Sequence, residues 1–474
     1  MIQDTGTIQA SFLCIKRMPS LSVNGIELLK CIEVRSHFLS RYSEDILRKE
    51  LKHLFVQSSK DENQIVRKWL DWCKSNSSVL RCVEGSVPQS ILSGAQLIDV
   101  KVGTAGRHRK PDDTIYNRSA EIRRQVARGN CVLRLPDGRL LCLTHALKKF
   151  TGGMGDEDDD LSGGDDSTWR RYFLRSPEAA ERLVLTQKAN GEAAHLSARY
   201  VDGSFLVCVG SKNVHMVLRQ ESDIARYADQ RYRVAREVAA AVWRLLEAMG
   251  EGQRQLLLSF LHHTRLTAVM ELLQPDHQHV VDLSHLKVAE LRFITWTGTL
   301  GDDFESYCGV TPELGFELAE MLGMKTVEHS VVIGDVMNEL PRVMQEVREG
   351  HGYEGKVLYF VDGNGKVVGV LKKKTVWYIL LRALREKLSY GLKKQSFKEL
   401  KEGIKKRFRE IQAWLCFDDE FLQNWLTLSF KFAEWLKNGP DTDYGELRTT
   451  MPPLWTKFLR ECRESDKYDI SITT

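Results

Sequence analysis

Two hydrophobic rhythms alternate along the chain. Apolar residues fall at helical spacing over residues 43–55, behind a capping serine, and again over 65–73. Over 130–143 the rhythm changes, and two apolar runs flank Pro136-Asp137-Gly138, a hairpin signature. Short strand-like runs follow at 183–185, 195–200 and 205–209, the last two joined by Asp202-Gly203. Residues 223–249 predict one long amphipathic helix ending at Gly250, and 253–262 a second. Strands are expected at 266–273, 279–283 and 290–296, and helices at 312–321 and 337–348. A further hairpin, 357–361 with 367–371, is expected around Asp362-Gly363-Asn364-Gly365. Beyond Lys374 strand signals stop, and 376–388, 397–414 and 421–435 read as helices. The tail after Pro440 is mostly polar, an ordered cap or a loose end. Antiparallel hairpins with interspersed helices predict an α+β fold.

Length and composition narrow the class. A chain of 474 residues holds two or three domains. The breaks in pattern place them at 1–168, a mixed α/β region with an acidic loop at 152–167; at 169–375; and at 376–474, a helical C-terminal domain. Charged residues at 28% and hydrophobic ones at 42% are ordinary for a soluble protein. No apolar run reaches the roughly 18 residues of a membrane span, so no membrane partner is expected. The first thirty residues lack the layout of a secretory signal, and the ten scattered cysteines read as reduced. Both suit an intracellular location, cytoplasmic or nuclear. No cysteine and histidine spacing predicts structural zinc.

The net charge of +4 hides an uneven distribution. Seven acids crowd between Asp156 and Asp166 among glycines, which predicts a solvated, disordered loop. Residues 371–410 carry fourteen Lys or Arg against four acids, a footprint for a polyanion or a charged helical surface.

The chemistry centres on Lys188, in the turn Gln187-Lys188-Ala189-Asn190-Gly191 after the strand at 183–185. A lysine is a poor nucleophile near neutrality unless cationic neighbours and burial disfavour its ammonium form. Lys372 and Lys374 supply such a field. Two apart on a strand, they face one side while Lys373 faces the other. Glu271 and Glu354 lie at or near strand edges, and either suits a divalent cation or a ribose hydroxyl. Mg²⁺, with Mn²⁺ as the alternative, is the natural ion for attack on a phosphoanhydride.

These residues, in this order, resemble the covalent nucleotidyltransferases: RNA ligases, DNA ligases and capping guanylyltransferases. Their Lys-x-Asp/Asn-Gly motif is matched by Lys188-Ala189-Asn190-Gly191. A strand carboxylate is matched by Glu271, a Glu-Gly pair by Glu354-Gly355, and a Lys-x-Lys strand by Lys372-Lys373-Lys374. The resemblance covers about 183–380. It implies a nucleotidyltransferase (ATP-grasp-like ligase) domain of antiparallel sheets with helices, and a nucleotide carried on Lys188. It also implies Gln187, Asn190 and Gly191 beside the nucleotide, Lys212 of the Ser211-Lys212 pair and Arg265 at phosphates, and Glu354 and Glu271 as metal ligands. Ala193 stands where DNA ligases usually have arginine, and helices replace the C-terminal barrel of capping enzymes. Both departures point to ATP-dependent RNA ligation, resembling the ligase domain of fungal tRNA ligases. The implied substrates are 5′-phosphate and 3′-hydroxyl RNA ends, with RNA repair or tRNA processing as the setting. The chain lacks a phosphate-binding kinase loop, so end-healing enzymes would come from other chains. The basic helices, with Lys393, Lys394, Lys405, Lys406 and Arg407, would hold RNA. A GTP-dependent capping enzyme and a non-catalytic RNA-binding relative are the competing readings.

Overall fold

The computed structural model describes residue 54 and residues 61–104, 111–153, 155–156, 166–301, 305–439, 444 and 446–464. The helix expected at 43–55 lies outside these apart from Leu54. Helix α1 (Glu62–Ser75) opens on Asp61, whose carboxylate accepts the Gln64 amide, and buries Val66, Trp69, Leu70 and Cys73. It packs on a meander of β1 (Leu80–Ser86), β2 (Gln96–Val102), β3 (Asn130–Arg134) and β4 (Leu140–His145), all antiparallel. The turn at Pro136-Asp137-Gly138 joins β3 to β4, with Gly138 at φ +83°.

The following segment builds two more antiparallel sheets. They use β5 (Arg182–Gln187), β6 (Glu192–Val201), β7 (Ser204–Gly210), β8 (His215–Leu218), β9 (Thr267–Leu273), β10 (Glu290–Thr297), β11 (His329–Ile333), β12 (Gly355–Val361) and β13 (Val367–Lys374). The second sheet runs β10-β9-β6-β7-β8 and the third β11-β5-β12-β13. Helices α2 (Arg233–Ala248), α3 (Glu251–Thr264), α4 (Pro312–Met321) and α5 (Val336–Glu349) cover them. One apolar core joins Leu97, Leu133 and Leu143 of the first sheet to Leu196, Val207 and Leu272 of the second and Tyr359 of the third. The architecture is α+β.

The final four helices are α6 (Val376–Lys394), α7 (Phe397–Leu415), α8 (Asp419–Asn438) and α9 (Leu447–Glu464). They enclose a separate apolar core rich in Trp and Phe. Helix α9 decides between the two alternatives for the tail in favour of order. Leu447, Met451, Trp455, Phe458 and Cys462 are buried at helical spacing, and the Trp455 ring lies 6.2 Å from that of Trp425. Pro452-Pro453 within the helix masks this period in the sequence. No described helix is long and apolar enough to cross a membrane.

Other expectations shift as well. The helix anticipated over 223–249 begins at Arg233, after short 3₁₀ segments at Glu221–Arg226 and Gln230–Tyr232. There the Asp223 carboxylate accepts the amides of Arg219 and Gln220, and Asp229 that of Arg231, so side chains compete for the backbone. Residues 279–283 are not a strand. Val280 and Val281 donate their amides to Asn190 Oδ1, and Leu283 donates to Gln278. Strands β1, β2, β8 and β11 have no counterpart in the hydrophobic pattern.

The acidic loop is also corrected at its start. Asp156 is fully buried, with carboxylate oxygens 2.8 Å from both terminal nitrogens of Arg348 and 3.3 Å from Lys373 Nζ. It also accepts the Lys374 amide. Thr151 bridges to Leu371, so this segment lies along the outer edge of β13. A strand edge left open is a liability, and here chain and charge together close it.

Candidate active site

A cavity of about 490 Å³ lies between the second and third sheets, walled on its sides by residues 147–150 and by α6. Its size and mixed polar lining suit a nucleotide-sized ligand. Gln187, Lys188, Asn190, Gly191, Glu271, Glu354, Lys372 and Lys374 all line it.

Register explains the convergence. Across the third sheet Thr186 pairs with Val357 and Val357 with Lys372, while Gly355 pairs with Lys374. The Lys188 amide donates to Gly355 O at 2.8 Å, extending β5 by one residue. Lys188, Gly355 and Lys374 thus form one row. A Cβ on Gly355 would meet Lys373 O at 2.0 Å, and its φ of +152° is also one that glycine favours. Lys373 turns the other way, and its Nζ donates to Gly152 O and pairs with Asp156.

Lys188 Nζ stands 2.9 Å from Glu354 Oε1, and Asn190 Nδ2 donates to Glu354 Oε2 at 2.7 Å. Burial pushes the Glu354 carboxyl up, but Lys188, Lys374 and these hydrogen bonds outweigh it and hold the group below the usual carboxylate range. Asn190 is a clamp: it also donates to Tyr378 on α6 and accepts from Val280 and Val281. A Cβ on Gly191 would meet Leu272 O at 2.1 Å, so only glycine allows the turn to pass β9. The Gly191 amide donates to Glu271 Oε1 at 3.1 Å. Burial pushes the Glu271 carboxyl up to about 7, against the pull of Lys188 and with the help of Glu354.

The cationic neighbours expected for Lys188 are joined by a direct carboxylate partner, Glu354. Both Glu354 oxygens are engaged, by Lys188 and Asn190, whereas Gly191 engages one oxygen of Glu271. The carboxylate oxygens of Glu271 and Glu354 are the hard donors that Mg²⁺ or Mn²⁺ takes. The donor set thus fits such an ion, with Glu271 the less committed member.

Two expected contacts fall outside the cavity. Arg265 sits in a left-handed turn (φ 57°) after α3, and its side chain reaches Glu62 of α1 at 3.4 Å, in a separate cleft with Arg199 and His262. Lys212 Nζ bonds Asp112 Oδ2 at 2.7 Å, outside the cavity lining. Burial would raise the Asp112 carboxyl, but Arg128 and Lys212 outweigh it and hold it at about 2.

Other lining residues are not among the motif positions, although Arg382 and Arg385 belong to the basic stretch at 371–410. Lys149 is 2% exposed and pairs with Asp113 at 2.5 Å, with Lys148 and Arg128 alongside. His195 ends a buried chain: its Nδ1 lies 3.1 Å from His215 Nε2, and His215 Nδ1 lies 2.8 Å from Asp99. Arg382, Arg385 and Arg448 come from the C-terminal helices.

A family model described as a domain of unknown function (DUF7920) matches residues 174–385, the stretch that carries all these motif positions. No curated protein matches the chain. Among solved structures the chain is similar to an archaeal ATP-dependent RNA ligase, form 2, at 13% identity over 77% of this chain and 75% of that one, with a TM-score of 0.41. Form 1 of that ligase gives 11% identity over the same shares and a TM-score of 0.38. A Naegleria gruberi RNA ligase mutant with ATP and Mn gives 13% identity over 64% of this chain and 96% of that one, with a TM-score of 0.30.

Proposed function

We propose that the protein is an ATP-dependent RNA ligase that joins 5′-phosphate and 3′-hydroxyl ends through a nucleotide carried on Lys188. The observation that carries this reading is the row Lys188, Gly355 and Lys374 facing Glu354 and Glu271 inside one nucleotide-sized cavity. A lysine in such a place serves covalent chemistry better than it serves stability, since it remains partly exposed to the cavity and its partner is shared with Asn190.

Lys188 Nζ, once deprotonated, attacks the α-phosphorus of ATP; an N–P bond forms and pyrophosphate leaves. Lys372 and Lys374 stabilise the charge that builds on the phosphoryl oxygens. Glu354 releases Lys188 as the phosphate arrives, and Asn190 keeps that carboxylate in place. Glu271, titrating near neutrality, is the cavity carboxylate able to change protonation at working pH. Glu271 and Glu354 would hold Mg²⁺ or Mn²⁺, which when bound neutralises phosphate charge. The AMP then passes to an RNA 5′-phosphate, and the RNA 3′-hydroxyl displaces it to seal the strand.

The test incubates the protein with α-labelled ATP or GTP and Mg²⁺, then supplies nicked or single-stranded RNA with defined ends. An acid-labile, lysine-linked AMP adduct that is discharged into sealed RNA is expected. No adduct with either nucleotide removes the reading, and a GTP-only adduct replaces it with capping.

A further inference from the structure

The helical wall of the cavity holds a buried cation whose acid partner among the described residues is distant and half-exposed. Helix α6 starts directly after β13, where Thr375 caps the Tyr378 amide. Its inward face is apolar except at Tyr378 and Arg385. Arg385 is only 6% exposed. Its Nη1 donates to His279 O at 2.7 Å, but its Nε has no hydrogen-bond partner among the described residues. The acid beside it is Glu386, 3.8 Å from Nη2 with a half-exposed side chain. Arg382, one turn earlier, and Arg448, at the start of α9, line the same cavity. Burial pushes the Arg385 guanidinium below its usual range; Tyr378 and Glu386 oppose that, while the charges of Arg382 and Arg448 add to it.

A structural role accounts for part of this. The bond to His279 O steadies the segment whose next two amides bind Asn190. It uses one of the five N–H groups of a guanidinium and leaves Nε buried and idle. Nor does it explain two more arginines at the same wall. Burying a charge is costly unless it is paired, and guanidinium forks match phosphate oxygens in geometry and charge.

We propose that Arg382, Arg385 and Arg448 form a phosphate-binding subsite that takes a phosphate group of the substrate. That group is the triphosphate tail of the nucleotide or the 5′-phosphate of the RNA. The subsite rests on the nucleotidyl-transfer reading for its purpose, but its anion binding is separable from catalysis.

The experiment measures equilibrium binding by the full chain of inorganic tripolyphosphate, and of a short oligoribonucleotide with a 5′-phosphate or a 5′-hydroxyl. The R382Q/R448Q variant removes the two more accessible charges, and its melting temperature checks the fold. Binding of tripolyphosphate, or the preference for 5′-phosphate over 5′-hydroxyl, is expected to weaken about tenfold or more. Loss confined to the first probe assigns the nucleotide tail; loss confined to the second assigns the RNA end. Arg385→Lys, which keeps charge but not the fork, is expected to weaken the same probe and spare the other. Affinities for both probes unchanged in R382Q/R448Q overturn the subsite. If the wild-type protein forms no adduct yet shows these losses, the ligase reading falls and the subsite stands. If it forms the adduct and shows none of them, the subsite alone falls.

Discussion

On the outer face of β13, Lys373 meets Asp156, which Arg348 also grips through two nitrogens; on the inner face, Lys372 and Lys374 look into the cavity with Lys188, Glu354 and Glu271. Asp156 is at 0% exposure and its oxygens are spent on Arg348, Lys373 and the Lys374 amide. The inner cluster has unequal partners: Glu354 is held low while Glu271 is pushed up to about 7. A closed, satisfied ion cluster holds a strand in place. An open one, with carboxylates of divergent acidity beside a lysine, is set up for chemistry.

The contrast can be broken by substitution. Lys188→Ala should abolish the labelled adduct on a denaturing gel while the thermal unfolding curve stays close to wild type; an adduct that persists would place the nucleophile elsewhere. Asp156→Ala should do the reverse. Removing one partner of a buried cluster leaves Arg348 and Lys373 uncompensated, at about 3–5 kcal/mol of stability in a denaturant titration. A loss under about 1 kcal/mol would mean the cluster is solvated after all.

The adjacent lysines sharpen the point. Lys372→Ala should slow adduct formation about a hundredfold, as for other groups that stabilise developing charge, with stability changed by less than about 0.5 kcal/mol. Lys373→Met should cost stability and leave the single-turnover rate within a few fold. Equal effects of the two on rate would erase the distinction between the faces.

The smallest effect is a pH slope. Glu271 keeps its proton up to about pH 7 when folded, against an ordinary value of 4.5. Its contribution to stability is therefore complete below about pH 4.5 and is lost as pH rises to about 7. Without nucleotide, Glu271→Gln should flatten the melting temperature over that window relative to wild type. Parallel pH profiles for the two proteins would mean that Glu271 titrates normally.

Much of the inner face was legible beforehand because its geometry is local. Alternation along a strand sends Lys372 and Lys374 one way and Lys373 the other. A glycine after Asn190 and another after Glu354 mark places where backbones pass within reach of a Cβ. Arg265 was misplaced because a left-handed turn after α3 aims it at α1, which no spacing reveals. Lys212 was drawn away by Asp112, one hundred positions earlier in the chain. Composition treats Asp156 and its acidic neighbours as one solvated object, although Asp156 is buried. Residues 279–283 have a strand's composition, but the Asn190 side chain takes two of their amides.

The amino-acid order alone determined the α+β class, the lysine in its turn and the carboxylate and lysine motifs that accompany it, because turns and two-residue alternation act within a few positions. Tertiary structure alone decided which charges neutralise one another. It paired Lys188 with Glu354, closed Asp156 over β13, and brought Lys149, His195 and Arg385 to one cavity from three separate regions. Electrostatic pairing depends on distance and burial, and both are properties of the folded chain.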